Sequence, residues 1–257
     1  MINLRDVTFM IPLKMESEDR KKVINLVIEY VLKHLDTKII ICEEGVSPKF
    51  SQLMKREWYP KLTYIFRKNE NELFHKTKNL NLMARKATTP IIVSLDSDVI
   101  FYPHQYQNAA HLIRGNIVDF CYPFNQPTHN IPMSFQSKFG MTLNLTSLEP
   151  ILKFEHPSPP PGGCFFMNKD KFIKAGMENE NFISWGPEDV ERRDRLIKLG
   201  YRVASSDGKL FHLEHSRTFN SNTTNPLFSN NEQEYQKILN MSQDQLKQYI
   251  GTWQWTK

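Results

Sequence analysis

The chain has 257 residues, 40% hydrophobic and 24% charged, an ordinary composition for a soluble globular protein. That length holds one large domain or two small ones, and no linker-like stretch divides it, so the reading is a single α/β domain over 1–257. The net charge of +5 comes from scattered Lys and Arg without a long basic tract, which argues against nucleic acid as a partner.

Val7 to Leu13 (VTFMIPL) reads as a first strand, ended by Pro12-Leu13-Lys14. Ser17 can cap a helix running through Leu35, with Val23, Ile24, Val27, Val31 and Leu35 on one face. Lys38 to Cys42 is a second strand, closed by Glu43-Glu44-Gly45, and Leu62 to Phe66 a third. Glu70 to Ala87 reads as a helix with Leu73, Thr77, Leu80, Ala84 and Ala87 in register. Ile91-Ile92-Val93 is β-branched and unbroken, as in a strand buried on both faces, and it runs into Asp96 and Asp98. This alternation predicts a mostly parallel sheet covered by helices, with ligands at the carboxyl ends of the strands.

Beyond Asp119 to Phe124, another strand, the pattern weakens. Gln126 to Pro161 shows no clear period and ends in a Pro cluster, HPSPPP; such a long stretch is either functional or hides elements. Gly162-Gly163 opens an apolar strand, CFFM. A helix follows from about Lys169 to Gly176, and another from Pro187-Glu188 to Leu199, with Pro in its first turn and Gly200 past its end. Tyr201 to Ala204 and Leu210 to Leu213 read as strands, and helices are expected around Glu232 to Leu239 and after the capping box that starts at Ser242. This divides the domain into a strand–helix half (1–103), a less regular half (104–217) and a helical tail (218–257).

Cys42, Cys121 and Cys164 are odd in number and far apart; those in apolar runs read as buried free thiols. The N-terminal stretch is too short to be a signal peptide, and no apolar segment reaches ~18 residues. The expectation is a cytoplasmic protein, with peripheral contact at the inner membrane face left open.

Three constellations carry chemistry. Asp96 and Asp98, one residue apart at a strand end, would point to one side of an extended chain and offer two carboxylates to a hard cation. Such a pair also occurs in Asx turns and in the haloacid-dehalogenase phosphatases, although Ile100 departs from the latter pattern. In Trp185-Gly186-Pro187-Glu188-Asp189, two acids open a helix beside an aromatic ring. They either complement the helix dipole or serve as a general base and an acceptor clamp, with Trp185 as a core aromatic or a sugar-stacking surface. In His212-Leu213-Glu214-His215, two imidazoles at a strand end can converge in a turn; with a carboxylate they suit Mn²⁺ or a related divalent ion.

Together these residues resemble one family. The stretch from Gly162 to Val203, with its Gly-Gly strand and WGPED helix start, is similar to the acceptor segment of the β-1,4-galactosyltransferases, and HLEHSR to their metal-binding strand. Polypeptide GalNAc-transferases and bacterial family 2 enzymes share the layout. The resemblance implies a GT-A fold and a metal-dependent glycosyltransferase that moves a sugar, galactose or its N-acetylamino form, from a UDP-sugar to a hydroxyl of an oligosaccharide or lipid-linked glycan. It implies inversion and a role in bacterial surface-polysaccharide synthesis.

Residue by residue, it implies that Asp98 and His215 hold Mn²⁺ or Mg²⁺, aided by Asp96 and by His212, which stands where the family has Met. Asp189 would be the catalytic base. Glu188, Trp185 and Gly163 would bind the acceptor. Pro12, Lys14, Phe74, Lys76 and Asp96 would bind the donor, with both lysines replacing arginines of the family pattern. The segment 126–163 would be a lid over the donor. A metal-dependent nucleotidyltransferase, a sugar phosphatase and a non-catalytic sugar- or nucleotide-binding module are the other classes the Asp pair allows.

Overall fold

The computed structural model describes residues 1–156 and 158–257, with the backbone alone at residue 151 and at 153–156. Pro157 of the Pro cluster lies outside the described residues. The chain runs β1 (Ile2–Leu13), α1 (Glu18–His34), β2 (Leu35–Gly45), β3 (Leu62–Lys68), α2 (Lys76–Lys86), β4 (Ile91–Leu95), β5 (Val99–Ile100) and α3 (Pro103–Arg114). It continues through β6 (Phe120–Tyr122), β7 (Thr128–Ile131), α4 (Met133–Thr142), β8 (Lys153–His156), β9 (Cys164–Asn168), α5 (Lys169–Lys174) and α6 (Glu188–Lys198). It ends with β10 (Val203–Ser205), β11 (Leu210–Leu213), α7 (Phe228–Leu239) and α8 (Gln243–Thr252).

Among the described residues the strands form two sheets. The larger has seven strands in the order β10-β6-β9-β4-β1-β2-β3, and the smaller four in the order β5-β11-β7-β8. In the larger sheet β1 to β4 run parallel, while β9 lies antiparallel between β4 and β6. β4 is buried throughout, as its unbroken apolar run requires, and Val23, Ile24, Val27 and Val31 of α1 face the same core. The three cysteines are buried free thiols. No helix of the described residues is long and apolar enough to cross a membrane.

The structure corrects one expectation and adds elements in two places. The helix expected from Glu70 begins only at Lys76. Asn69 and Asn71 accept bonds from the backbone N–H groups of Asn71 and Leu73, so side chains satisfy donors that a helical turn would otherwise use. Buried Glu44 fixes this turn by accepting from Asn69 and pairing with His75. Second, residues 126–161 do hide elements, one of the two outcomes the pattern allowed: β7, α4 and β8 lie there, and β7 pairs in parallel with β11. Those elements are short and partly polar, which hides their period. Third, α3 went unread, although Pro103 sits at its first turn and Gln105 Oε1 accepts from the Tyr102 N–H at 3.2 Å.

A buried arginine ties α6 to the turn after α5. Arg195, fully buried, donates from Nε to Glu191 of the same helix at 2.6 Å, and from Nη1 and Nη2 to the carbonyls of Ala175 and Met177 at 2.7 and 2.8 Å. Arg195→Ala leaves Glu191 and two carbonyls without partners, and we expect a loss of about 3–5 kcal/mol. Urea unfolding checks this; a loss below about 1 kcal/mol, the range of surface pairs, would contradict it.

Candidate active site

The carboxyl ends of β1 and β4, the start of α2, the start of α6 and the end of β11 meet around a cleft of about 420 Å³. Pro12, Lys14, Phe74, Lys76, Asp96, Asp98, Gly163, Trp185, Glu188, Asp189, His212 and His215 all line it, so the structure brings every residue singled out from the sequence into one space.

One corner is a set of possible metal ligands. Asp98, His212 and His215 each offer an atom, and these atoms lie within 4.8 Å of one another. Asp98 Oδ2 is 2.8 Å from His215 Nε2. His215 Nδ1 donates to the Ser216 carbonyl at 2.7 Å, so a neutral ring turns the lone pair of Nε2 toward the carboxylate. Two acceptors facing each other this closely suit a shared cation, since ligands ~2.1 Å from one ion and at right angles to each other sit roughly 3 Å apart. β11 supplies this geometry: His212 pairs with Val99 across the ladder, and the Leu213 N–H bonds the Asp98 carbonyl at 2.7 Å.

The two aspartates do not act as a simple extended pair. β4 stops at Leu95 and residues 97 and 98 form a turn, so strand alternation does not set their directions. Asp96 pairs with Lys76 rather than with the histidines.

Lys76 organises the other corner. Its ammonium lies 3.2 Å from Asp96, 3.3 Å from Glu188 and 3.2 Å from Asp189. It therefore joins the end of β4 to the start of α6. Arg192, one turn along α6, donates to Asp189 Oδ1 at 2.7 Å and to buried Glu178 at 3.0 Å. The charges separate the acids. Burial opposes ionisation of Asp189, but Lys76 and Arg192 outweigh it and hold the group below the usual carboxylate range. Burial pushes Glu188 up to about 7 and Asp96 up to about 6, against the pull of Lys76. Glu188 Oε2 is buried without a hydrogen-bond partner, as fits a carboxyl that keeps its proton. Neighbouring acids held at different protonation states are the usual mark of divided acid and base roles.

The glycine pair that opens β9 fits closely here. A Cβ on Gly162 would overlap the Asp189 carboxylate, and Gly163, at φ +100°, uses a backbone region that favours glycine. The Gly163 carbonyl accepts from the Asp96 N–H at 2.8 Å, locking the strand end to the loop before β9.

A family profile described as Glycosyl transferase family 2 matches residues 8–176. The chain belongs to that family. A second profile, described as the N-terminal domain of galactosyltransferase, matches residues 151–217 of this family 2 chain. Among solved structures, it is similar to GalNAc-T7 with UDP, GalNAc and Mn²⁺, at 12% identity and a TM-score of 0.63, covering 95% of this chain and 50% of that one. It is also similar to the mannosyltransferase PcManGT from Pyrobaculum calidifontis in complex with GDP-Man and Mn²⁺, at 16% identity and a TM-score of 0.53, covering 81% of this chain and 56% of that one. The chain thus spans about half the length of these relatives, and at such identities the likeness shows the fold, GT-A. No curated protein matches the sequence.

Sequence reasoning about this family 2 chain missed several groups in and behind the cleft. Arg20 of α1 lies 3.9 Å from Asp98 and lines the cleft, yet it sits on a helix whose apolar face drew the attention. Arg192 was visible as the residue three beyond Asp189, a spacing that places both on one helix face. Glu178 and Asn220 carry no local signal, because their partners are distant in sequence.

The protonation of Glu188 can be checked. A carboxyl whose folded pKa is raised adds stability below its unfolded pKa, and that stability is lost as pH rises through the folded value, here about 7. Glu188→Gln mimics the neutral form. It should therefore raise the thermal midpoint by a few degrees at pH 8 and leave it nearly unchanged at pH 5; equal effects at both values would contradict this.

Proposed function

We propose that the chain is a metal-dependent glycosyltransferase that moves galactose or N-acetylgalactosamine from a UDP-sugar to a hydroxyl of an oligosaccharide or lipid-linked glycan, with inversion. The convergence of the Asp98–His212–His215 group and the Lys76-centred acids in one cleft carries this reading. Family membership and the nucleotide-sugar and Mn²⁺ contents of the two similar structures support it.

Asp98, His212 and His215 would hold Mn²⁺ or Mg²⁺, with Asp96 alongside, and a cation there supplies the charge that a departing diphosphate needs. Pro12, Lys14 and Phe74 line the side of the cleft near the end of β1 and the start of α2, where the nucleotide would lie. Lys76 can turn from Asp189 toward the diphosphate as the donor arrives, which frees Oδ2 of Asp189. Asp189, ionised, takes the proton of the acceptor hydroxyl as that oxygen attacks the anomeric carbon. Glu188, keeping its proton, donates to an acceptor oxygen. Trp185 offers an aromatic face to the acceptor ring, and Pro160 and Pro161 line the same cleft. On this reading the chain serves bacterial surface-polysaccharide synthesis from the cytoplasm, in peripheral contact with the inner membrane face.

A thermal-shift screen of UDP-sugars with and without Mn²⁺, followed by detection of released UDP with p-nitrophenyl glycosides as acceptors, tests the reading. Release of pyrophosphate or inorganic phosphate in place of UDP would count against it. Asp189→Asn should keep donor affinity and lose about 10²–10⁴ in turnover; wild-type turnover with a saturating acceptor would remove the base assignment. His215→Ala should weaken Mn²⁺ more than His212→Ala, since His215 is buried and its ring is fixed by both Ser216 and Asp98. Equal or reversed losses by calorimetry would overturn that ranking.

A further inference from the structure

The segment from Asn225 to Asn231, beyond the metal-ligand group, has no role in the chemistry above, yet it is bonded to the loop that leads into the two acids of α6. Two of its asparagine side chains and that of Asn220 make most of those bonds. Asn231, 1% exposed on α7, donates to the carbonyls of Ile183 and Trp185 at 2.9 and 3.0 Å and accepts from the Ile183 N–H at 3.3 Å. Asn225, also buried, donates to the Trp185 carbonyl at 2.6 Å and the Ile183 carbonyl at 3.3 Å. Asn220 accepts from the Ser184 hydroxyl at 2.6 Å and from the Phe74 N–H at 3.0 Å.

The residue between the clamped carbonyls is strained. Ser184 has φ +61°, a left-handed conformation that a non-glycine residue holds only when its surroundings over-determine it. Its own N–H bonds the Phe74 carbonyl at 2.7 Å. Gly186, next to Trp185, has no room for a side chain, because a Cβ there would lie 2.7 Å from Asn231 Nδ2. Phe228, the first residue of α7, stacks on Trp185 with centroids 5.4 Å apart and planes 25° from parallel. The indole that lines the cleft is thus buttressed by a second ring and held by its backbone from the same helix.

We propose that Asn225, Asn231 and Phe228 are positioning residues for the acceptor. They hold residues 183–186 in a strained turn that sets Trp185 as a flat platform for a pyranose ring, one turn before Glu188 and Asp189. The segment 225–231 is then part of the acceptor site and not of the donor site. This rests on the glycosyltransferase reading, and it adds to that reading the residues that decide acceptor affinity. It also explains why polar Asn side chains, and not an apolar seam, join α7 to this loop: carbonyls 183 and 185 need donors once strain at Ser184 removes regular backbone pairing.

The test uses the full chain with Asn231→Ala, Phe228→Ala and Phe228→Trp, the last keeping the ring. Three quantities are measured: affinity for UDP with Mn²⁺, kcat/KM for the p-nitrophenyl glycoside the unaltered chain uses best, and amide exchange at Ile183 and Ser184. Asn231→Ala should speed that exchange about tenfold or more. Asn231→Ala and Phe228→Ala should lower kcat/KM for the glycoside about 10- to 100-fold, mostly through KM, with UDP affinity within about twofold of the parent. Phe228→Trp should restore most of the loss. Unchanged exchange would overturn the clamp, and faster exchange with unchanged KM would overturn its service to the acceptor. Equal loss of UDP affinity would make the segment a general support and overturn the proposal. Absence of UDP release by the unaltered chain would instead strike the glycosyltransferase reading, with the exchange result still deciding whether the clamp exists.

Discussion

A single ammonium group among three carboxylates holds the site together. Lys76 reaches Asp96 at the end of β4 and both Glu188 and Asp189 at the start of α6. Without it three acids would face one another in a mostly buried cleft, and some would have to take up protons or move apart. With it, and with Arg192 behind Asp189, one acid stays ionised, while burial drives its neighbour toward the neutral form against the pull of Lys76. The lysine is placed by the asparagine turn that delays the start of α2 and by Glu44 beneath that turn. A short run of polar side chains on the β3–α2 connection therefore determines the electrostatics of a site whose acids come from residues 96, 188 and 189.

The architecture explains why these groups can meet. The parallel strands β4-β1-β2-β3 put the carboxyl ends of β1 and β4 side by side in the middle of the larger sheet, and antiparallel β9 lies next to β4 with Gly162 and Gly163 just before its start. The missing side chains there let the Asp189 carboxylate lie against the strand opening. The smaller sheet sets β11 beside β5, and this brings His212 and His215 to Asp98 across more than a hundred residues of sequence. The paired carbonyl and N–H groups of Asp98 and Leu213 make that meeting part of the backbone ladder rather than an accident of loop packing.

Much of this was legible in the sequence. The alternating pattern from Val7 to Leu95 gave the parallel half, because buried strands need unbroken apolar runs and helices need a 3.6-residue period. The residues of the site were legible too, since Asp96 and Asp98, the WGPED turn and the HLEH strand combine chemistry-bearing types with strong turn signals. What was hidden is what depends on distant partners. β7 and β8 are short strands whose stability comes from pairing with β11 and with each other. The delayed start of α2 required knowing that Asn69 and Asn71 bond their own neighbours. The division of labour between Asp96 and Asp98 required knowing that the strand ends before either of them. Arg20, Glu178 and Asn220 were invisible because nothing local distinguishes a buried, paired polar side chain from a surface one.

The cage around Lys76 and the Asp98–His212–His215 group make one joint claim about where charge sits before and after a nucleotide arrives. The most direct measurement is a crystal soaked with UDP and Mn²⁺, with manganese located by its anomalous scattering. The expected result is an ion bound by Asp98, His212 and His215, a diphosphate beside it, and the Lys76 ammonium moved off Asp189 onto a phosphate oxygen. An ion elsewhere in the fold, or Lys76 still seated on Asp189 with UDP bound, would contradict it.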